Sequence, residues 1–292
     1  MASNSAVTPN RNTRPVGPER DTPIPFTGWI RLVLRAIGLV IGLSLCVPLH
    51  YAYRTIHYGS PFPKLFLRLA CRLCGARLRV HGVPLKRDVF FIANHLSWLD
   101  IPALGGASGT AFVAKSELAS APVVGWLARI NRTVFVSRED RMGVADQINR
   151  LREALADNWS ITVFPEGTTT DGKSLLPFKT SMLRVLEPPP AGVMVQPVVL
   201  DYGQDIGEWI GWIGTESGVS NAKRILSRRG SFPLEVFYLD PFDPRDYPGR
   251  KAIAAEARSR ILPALEVRLG QPVRPFAQMV GAIRYSPPDK VA

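Results

Sequence analysis

The sequence predicts an α/β fold: a single domain with a mixed β-sheet flanked by helices, preceded by N-terminal membrane-docking helices. Two observations predict it. Short apolar segments of strand length alternate with segments of helix length through the last two thirds of the chain. The first third instead carries the longest uncharged apolar run and most of the positive charge. With 292 residues and 46% hydrophobic content, the chain can form one large core or two small ones.

The net charge of +12 is concentrated at the N-terminus. Residues 1–87 contain 13 Lys and Arg but 2 Asp and Glu, whereas the rest of the chain carries a net charge of +1. Basic residues beside an apolar segment favour an anionic membrane surface as the partner. Nucleic-acid-binding proteins usually carry their basic patch on a folded recognition element, often with stacking aromatic residues. The sequence has no such element, so we expect no nucleic-acid partner.

We divide the chain into four parts. Residues 1–28 are rich in Pro, Asn, Ser, Thr and Arg and are predicted to be a disordered tail. A membrane-associated helical segment follows at 29–77, and the α/β domain at 78–270. Residues 271–292 form a Pro-containing C-terminal tail.

The apolar segment from Ala36 to Tyr53 has 18 residues without a charged side chain. This is the short limit of the length that spans a bilayer, and Pro48 and His50 weaken the pattern further. Basic residues flank both ends, so the positive-inside rule gives no direction. A single span and a helix that enters and leaves on the same side remain equally open.

A basic amphipathic helix is predicted from Lys64 to Arg77. Lys64, Arg68 and Arg72 lie four residues apart and share one helix face. An adjoining apolar stripe consists of Leu65, Phe66, Leu69 and Leu73. Such a helix can lie in the membrane interface, which the preceding apolar segment favours over a solvated surface helix.

The elements of the α/β domain follow in order. Strands are predicted at Leu78–His81, Val89–Ala93, Thr110–Ala114, Thr133–Val136, Ile161–Phe164, Val193–Leu200 and Leu234–Leu239. Helices are predicted at Pro122–Ile130, Arg141–Asn158 and Lys251–Leu269, the last kinked or broken at Pro263.

The three cysteines do not form a disulfide framework. Cys71 and Cys74 make a Cys-x-x-Cys pair, but no second pair or His pair follows at zinc spacing. We interpret them as small apolar residues on a helix in a reducing compartment, and we expect no metal site.

His95 follows the apolar strand Val89–Ala93 almost at once, and Asp100 lies five residues later. A residue just past a strand end lies on the rim of the sheet, where α/β proteins bind ligands. On a straight helix the two side chains would lie about 140° apart. They can therefore meet only if His95 lies on a turn and Asp100 on the first turn of a helix, a start with which Pro102 is compatible.

Such a pair can activate an alcohol. A neutral imidazole accepts the hydroxyl proton, while a carboxylate on the other ring nitrogen fixes the tautomer and stabilises the imidazolium. The nucleophile would then be a hydroxyl of the substrate. Ser97 lacks the Gly-x-Ser-x-Gly surroundings of a nucleophilic serine. We therefore assign it a helix-capping or local hydrogen-bonding role.

A second strand ends in Val163-Phe164-Pro165-Glu166-Gly167-Thr168. It supplies a carboxylate, a glycine turn and a hydroxyl, which together can hold a polar head group. The alternative is a surface turn with a solvated glutamate.

Four blocks, in the expected order, resemble the glycerolipid acyltransferase family that includes the lysophosphatidic acid acyltransferases. They are Asn94-His95-x-Ser97-x-x-Asp100, Val134-Phe135-Val136-Ser137-Arg138, Phe164-Pro165-Glu166-Gly167-Thr168 and Val195-Gln196-Pro197-Val198-Val199, with Ala114-Lys115-Ser116-Glu117-Leu118 between the first two. The resemblance covers about residues 78–200.

This resemblance implies a membrane-associated acyltransferase. His95 would be the general base and Asp100 the residue that orients it. The expected head-group-binding residues are Lys115, Arg138, Glu166, Gly167 and Thr168. The acyl donor would be a thioester of acyl carrier protein or coenzyme A, with no covalent acyl-enzyme and no further cofactor. We expect membrane lipids and acyl carrier protein as partners, at the cytoplasmic face of the inner membrane.

One departure from the family pattern concerns the acceptor. The family usually continues Glu-Gly-Thr with an arginine that grips the acceptor phosphate, but this chain has Thr169. A neutral hydroxyl does not replace a guanidinium fork for phosphate. The variant resembles the lyso-ornithine lipid acyltransferase branch, although a phosphate acceptor held by Arg138 and Lys115 stays open.

Two functions from other classes also stay open at this point. A lipid or thioester hydrolase could use the same His–Asp pair to activate water. A non-catalytic membrane-binding module could carry a decayed site, although the intact pair argues against decay.

Overall fold

A computed structural model describes residues 23–57, 59–136, 149, 153, 160–203, 206–214 and 216–274. In this part of the chain seven strands form one sheet. They are β1 (Ala76–His81), β2 (Val89–Ala93), β3 (Ala111–Lys115), β4 (Val134–Val136), β5 (Ser160–Val163), β6 (Met194–Asp201) and β7 (Phe232–Tyr238). Every predicted strand is confirmed, with ends within two residues of those expected.

Helices lie before, between and after the strands. They are α1 (Phe26–Arg54), α2 (Phe62–Leu73), α3 (Asp100–Ser108), α4 (Pro122–Ile130), α5 (Gly207–Ile210), α6 (Gly218–Ser227) and α7 (Gly249–Leu269). The predicted bounds of α4 are confirmed. The helix predicted at Arg141–Asn158 falls, apart from residues 149 and 153, outside the described residues.

The sheet has the strand order β1-β7-β6-β2-β5-β3-β4. All neighbouring pairs are parallel except β6 and β7, which are antiparallel. The predicted mixed sheet is therefore confirmed. Because β2, β3, β5 and β6 run in one direction, their carboxyl ends meet at the same edge of the sheet.

Strand β2 lies in the middle of the sheet, and all five of its residues are buried. Its side chains alternate between two cores. Phe90 and Ile92 pack on the side of α7, whereas Phe91 and Ala93 pack on the side of α2, α3 and α6. Burial on both faces explains the continuous apolar sequence of this strand.

Of the kink or break predicted at Pro263, the break does not occur, since α7 continues through this residue to Leu269. Proline removes one backbone hydrogen bond from a helix. Ile261 and Leu265, on either side of it, are buried against the sheet. This packing holds the helix together where the local sequence favours a break.

Three further bounds differ from the prediction. Helix α1 begins at Phe26, inside the part assigned to a disordered tail. Helix α2 ends at Leu73, and Arg77 lies in β1. The reason is Gly75, whose φ of 91° is left-handed and ends the helix. Strand β1 begins soon afterwards at Ala76, two residues before the strand start expected at Leu78.

Helix α1 lies against the domain along its length. Near its start, the Arg31 and Arg35 side chains donate to backbone carbonyls at the end of α6. Further along, Gly38 and Gly42 lie against Leu73 and the Phe66 and Leu69 side chains of α2. The opposite face is exposed and apolar. By length and composition α1 could cross a membrane.

Candidate active site

The site lies where β2 ends. Asn94 follows the strand and bridges to β6, because its side chain accepts from the Leu200 amide at 2.7 Å and donates to the Leu200 carbonyl at 3.0 Å. The amide side chain thus extends the pairing of β2 and β6 by one residue. His95, the next residue, leaves the sheet on the shared carboxyl edge.

Asp100 is the first residue of α3 and is fully buried. Its Oδ2 accepts from His95 Nδ1 at 2.7 Å and from the amides of Leu96 and Ser97 at 2.7 and 3.0 Å. The carboxylate therefore binds the loop that precedes its own helix. This is the predicted geometry, with His95 on a turn and Asp100 on the first helical turn. The helix dipole also favours a negative charge at this end.

The contact with Asp100 leaves one ring nitrogen of His95 available. When the carboxylate is ionised, Nδ1 carries the proton and Nε2 has a free lone pair. The ring stacks on Phe164, with centroids 4.1 Å apart and planes 17° apart. The side chain is 19% exposed. The imidazole is thus fixed in orientation but still reachable from outside.

Ser97 is buried and makes a local contact, in which its hydroxyl accepts from the Leu99 amide at 3.4 Å. The predicted local role is confirmed by this turn at the start of α3. The neighbouring Trp98 donates from its indole nitrogen to Asn221 of α6 at 3.0 Å. The loop between His95 and Asp100 is therefore held at both ends and in the middle.

Glu166 lies beneath the loop and is fully buried. Its two carboxylate oxygens accept from the amides of His95 and Leu176, each at 2.8 Å. Burial raises the pKa of this carboxyl to about 8, against the lowering effect of the two backbone hydrogen bonds. The solvated glutamate of a plain surface turn is excluded by this arrangement.

The residues after Glu166 wrap around the same loop. Gly167 has a left-handed φ of 71°, and Thr168 is exposed. The Thr170 amide donates to the His95 carbonyl at 2.8 Å. Both backbone groups of His95 are therefore hydrogen-bonded by the segment from Glu166 to Thr170: Glu166 accepts from the N–H, and Thr170 donates to the carbonyl.

Thr169, at the position of the missing arginine, points into the protein. Its hydroxyl donates to the backbone carbonyl of Trp212, whose amide in turn donates to the Leu96 carbonyl. The hydroxyl of Thr169 is thereby used to join two loops of the site.

The other two expected head-group residues are Lys115 and Arg138. Lys115 is the last residue of β3, where it pairs with Val136 of β4. Its backbone therefore lies on the same sheet edge as His95. Arg138 lies outside the described residues.

Cys71 and Cys74 lie at the end of α2, almost fully buried. Burial raises the pKa of both thiols, that of Cys74 to about 12. They therefore stay protonated and behave as apolar residues behind the site, as the helix interpretation predicted.

The contact of Tyr202 with Asp100 was not predicted from the sequence. Tyr202, directly after β6, donates its hydroxyl to Asp100 Oδ1 at 2.6 Å. It is 102 residues from Asp100 in the chain, and an isolated tyrosine after a strand carries no recognisable motif. The signal that could have found it is the pairing of β2 with β6, which places the residues after both strands side by side.

The family model described as Acyltransferase matches residues 77–201, which include β2 to β6 and all seven site residues expected from the sequence. The chain is 33% identical to the lyso-ornithine lipid O-acyltransferase of Rhodobacter capsulatus over 267 residues, 85% of this chain and 96% of that protein. It is 33% identical to the protein of the same name from Rhizobium meliloti over 257 residues, 82% and 88% of the two chains.

A similar fold occurs in the crystal structure of the 1-acyl-sn-glycerophosphate acyltransferase PlsC from Thermotoga maritima. The TM-score is 0.58 at 21% sequence identity, over 82% of this chain and 97% of that chain. This likeness concerns the fold: a mixed sheet flanked by helices.

Proposed function

The chain belongs to the acyltransferase family, and within it we propose that this protein esterifies the free hydroxyl of lyso-ornithine lipid to form ornithine lipid. The observation that carries the catalytic part is the contact of His95 Nδ1 with Asp100 at 2.7 Å, which leaves Nε2 free at the rim of the sheet. The observation that favours this acceptor is the use of Thr169 inside the protein.

The proposed reaction is a direct transfer. His95 Nε2 accepts the proton of the acceptor hydroxyl while the hydroxyl oxygen attacks the carbonyl carbon of the acyl thioester. Asp100 stabilises the imidazolium that forms. The tetrahedral intermediate then collapses, the carbon–sulfur bond breaks, and the imidazolium returns its proton to the leaving thiolate. The products are the ester and a free thiol, with no covalent acyl-enzyme and no metal or further cofactor.

The family resemblance supports the remaining assignments. Lys115, Arg138, Gly167 and Thr168 are proposed to contact the acceptor head group. Glu166 was expected to join them, but its side chain is fully buried and both of its oxygens accept from backbone amides. We therefore propose that Glu166 is a positioning residue that holds the backbone of His95.

The side chain at position 169 supports the choice of acceptor lipid. A phosphomonoester is best held by a bidentate arginine, and a threonine hydroxyl already bound to a carbonyl cannot supply such a fork. The head group of an N-acylated ornithine has one carboxylate and one ammonium, so its net charge is zero and it requires less positive charge from the site than an anionic phosphomonoester does. Phosphate bound by Arg138 and Lys115 is the alternative, which predicts lysophosphatidic acid as the acceptor.

We further propose that α1 lies within one leaflet at the cytoplasmic face, where acyl thioesters are found. The contacts of α1 with α2 and α6 run along the helix, and its exposed face is apolar. A spanning orientation would draw α2 and α6 into the bilayer with it. The exposed basic residues of α2 would then face anionic head groups or an acidic acyl carrier protein.

The test of the reaction is His95→Ala with acyl carrier protein thioester and lyso-ornithine lipid in vesicles. We expect transfer to fall by about 10²- to 10⁴-fold, because a general base contributes about that much. His81→Ala is the matched control, since His81 lies at the far end of β1 and stacks on Phe237. Activity of His95→Ala within tenfold of the wild type would exclude the general-base role.

The test of the acceptor is a competition between lyso-ornithine lipid and lysophosphatidic acid at equal concentration. We expect ornithine lipid to be the main product. Phosphatidic acid as the main product would support the alternative acceptor. Release of free fatty acid without any acceptor would indicate a hydrolase, and vesicle binding without turnover would indicate a non-catalytic module.

A further inference from the structure

The buried carboxylate of Asp100 divides its hydrogen bonds unequally between its two oxygens. Oδ2 accepts three, from His95 Nδ1 and from the amides of Leu96 and Ser97. Oδ1 accepts from the hydroxyl of Tyr202 at 2.6 Å, its partner among the described residues. Because Asp100 is fully buried, water does not replace a lost donor at Oδ1. A buried carboxylate with an unsatisfied oxygen is costly.

Tyr202 is fixed in place and donates its hydroxyl proton to the carboxylate. Its side chain is fully buried and stacks on Phe232 at 6.2 Å between ring centroids. Burial, together with the negative charge of Asp100, raises the pKa of the phenol well above its ordinary value. The hydroxyl therefore keeps its proton at neutral pH.

The other groups that face Asp100 do not replace this donor. Cys71 of α2 lies close enough to interact with Asp100 electrostatically, and its thiol stays protonated because burial raises its pKa. Glu166 also faces Asp100, but its oxygens bind backbone amides. The phenol of Tyr202 is thus the side-chain hydroxyl that shares the carboxylate charge with the imidazole.

We propose that Tyr202 is a positioning residue of the catalytic pair, which holds Asp100 Oδ2 against His95 and sets how strongly the carboxylate attracts the ring proton. This inference rests on the proposed roles of His95 and Asp100. The hydroxyl makes a line of hydrogen bonds from Tyr202 through Asp100 to His95. With the phenol removed, the charge of the carboxylate acts more strongly on the imidazole at 2.7 Å.

The test is Tyr202→Phe, which removes one oxygen and keeps the ring. We expect kcat/KM to fall by about 10- to 100-fold, the factor of a hydrogen bond to a charged group. The fall should lie in kcat, with KM for both substrates nearly unchanged. The acidic limb of the pH profile should move to higher pH, because the imidazolium of His95 gains stability. A structural role alone would not move this limb.

A control variant at Tyr238 and a second substitution at Tyr202 separate the proposed role of the Tyr202 hydroxyl from a general loss of stability. Tyr238→Phe removes the hydroxyl of another buried tyrosine in the same core, near Ser108 rather than Asp100, and should leave the limb in place. Replacing Tyr202 by 3-fluorotyrosine keeps the packing and makes the hydroxyl a stronger donor. It should move the limb in the opposite direction, to lower pH, and it tests the proposal even if Tyr202→Phe fails to fold.

Failure of the His95–Asp100 pair and failure of the proposed role of Tyr202 would give different results. If His95→Ala is nearly as active as the wild type, the catalytic pair itself is wrong. If His95→Ala is inactive while both changes at Tyr202 leave kcat and the pH profile unchanged, the pair stands and the role of Tyr202 is overturned. Equal shifts in Tyr202→Phe and Tyr238→Phe would likewise overturn it.

Discussion

His95 is held by its backbone as firmly as by its side chain. Glu166 accepts from its N–H, and Thr170 donates to its carbonyl. Asp100 then fixes the ring through Nδ1, and Phe164 supports one ring face. A general base must lie within hydrogen-bond reach of the proton it removes. In the proposed mechanism, Glu166 and Thr170 therefore act through the position of His95 and do not touch a substrate.

Glu166→Gln tests this positioning. A glutamine offers one acceptor oxygen and an NH₂ group, so one buried amide, of His95 or Leu176, loses its acceptor. We expect the free energy of unfolding to fall by about 1–3 kcal/mol and kcat to fall about tenfold. Chemical denaturation and steady-state kinetics measure the two effects. Glu256→Gln, in an ion pair at the surface of α7, should change both little. Unchanged kcat in Glu166→Gln would contradict the positioning role.

Glu166 also predicts a pH dependence of stability. Its folded pKa of about 8 lies above the unfolded value of about 4.3, so between them the folded state binds the proton and the unfolded state does not. The contribution is therefore complete below about pH 4 and is lost as pH rises towards 8. Relative to Glu166→Gln, the wild type should lose at most about 1.4 kcal/mol per pH unit in this window. A stability difference independent of pH from 5 to 8 would contradict the raised pKa.

The contact between His95 and Asp100 could be predicted from the sequence, whereas the residues that hold this pair in place could not. The five-residue spacing of His95 and Asp100 permits only one local geometry, a turn followed by a helix start. Tyr202 and Thr170 reach the loop through the pairing of distant strands, and no local pattern encodes that register. The burial of Glu166 was also hidden, because a glutamate before a glycine reads equally well as a surface turn.

At the scale of elements, local patterns predicted the interior strands best. Strand β2 is apolar because both of its faces are buried, and its predicted bounds are confirmed. The errors fall where a long-range contact or one backbone conformation decides. Packing on the sheet carries α7 through Pro263, and the left-handed Gly75 ends α2 before Arg77.

Helix α1 is linked to the active site through α6. Arg35 donates to the carbonyls of Ile225 and Leu226, at 3.1 and 3.0 Å, at the end of α6. Asn221 in the same helix accepts from Trp98, which lies between His95 and Asp100. A guanidinium at the C-terminus of a helix satisfies free carbonyls and complements the dipole.

Arg35→Ala tests this link. We expect the free energy of unfolding to fall by about 1–2 kcal/mol, because the α6 carbonyls lose a charged donor in a partly buried position. Activity should fall only severalfold, since the catalytic groups stay in place. Arg54→Ala removes the same charge from the exposed end of α1 and should leave stability within about 0.5 kcal/mol. Equal losses in both variants would show that charge, and not the contact with α6, is responsible.

At the scale of the whole molecule, the two faces of the sheet differ in their surroundings. Helix α7 covers one face, whereas α2, α3 and α6 cover the other, with α1 packed on α2 and α6. The loop that carries His95 packs on this second side, because Leu96 and Leu99 belong to its core and Trp98 binds α6. A membrane bound through α1 would therefore lie on the side of the sheet on which this loop packs.

The exposed face of α1 carries the last prediction. Leu34, Ile41 and Leu45 share this face and are 62%, 54% and 61% exposed, so a charge there leaves the core intact. Leu34→Glu combined with Ile41→Glu should abolish binding to vesicles, because two apolar anchors become anions. Vesicle flotation measures binding. Val267→Glu is the control, since Val267 is even more exposed but lies on α7 at the other face of the sheet; this variant should bind like the wild type.

The wild type should bind anionic vesicles less tightly as salt rises, since screening weakens the attraction of the basic residues, but should keep an apolar component of binding that salt does not remove. Flotation of the double variant with the vesicles would contradict binding through this face of α1.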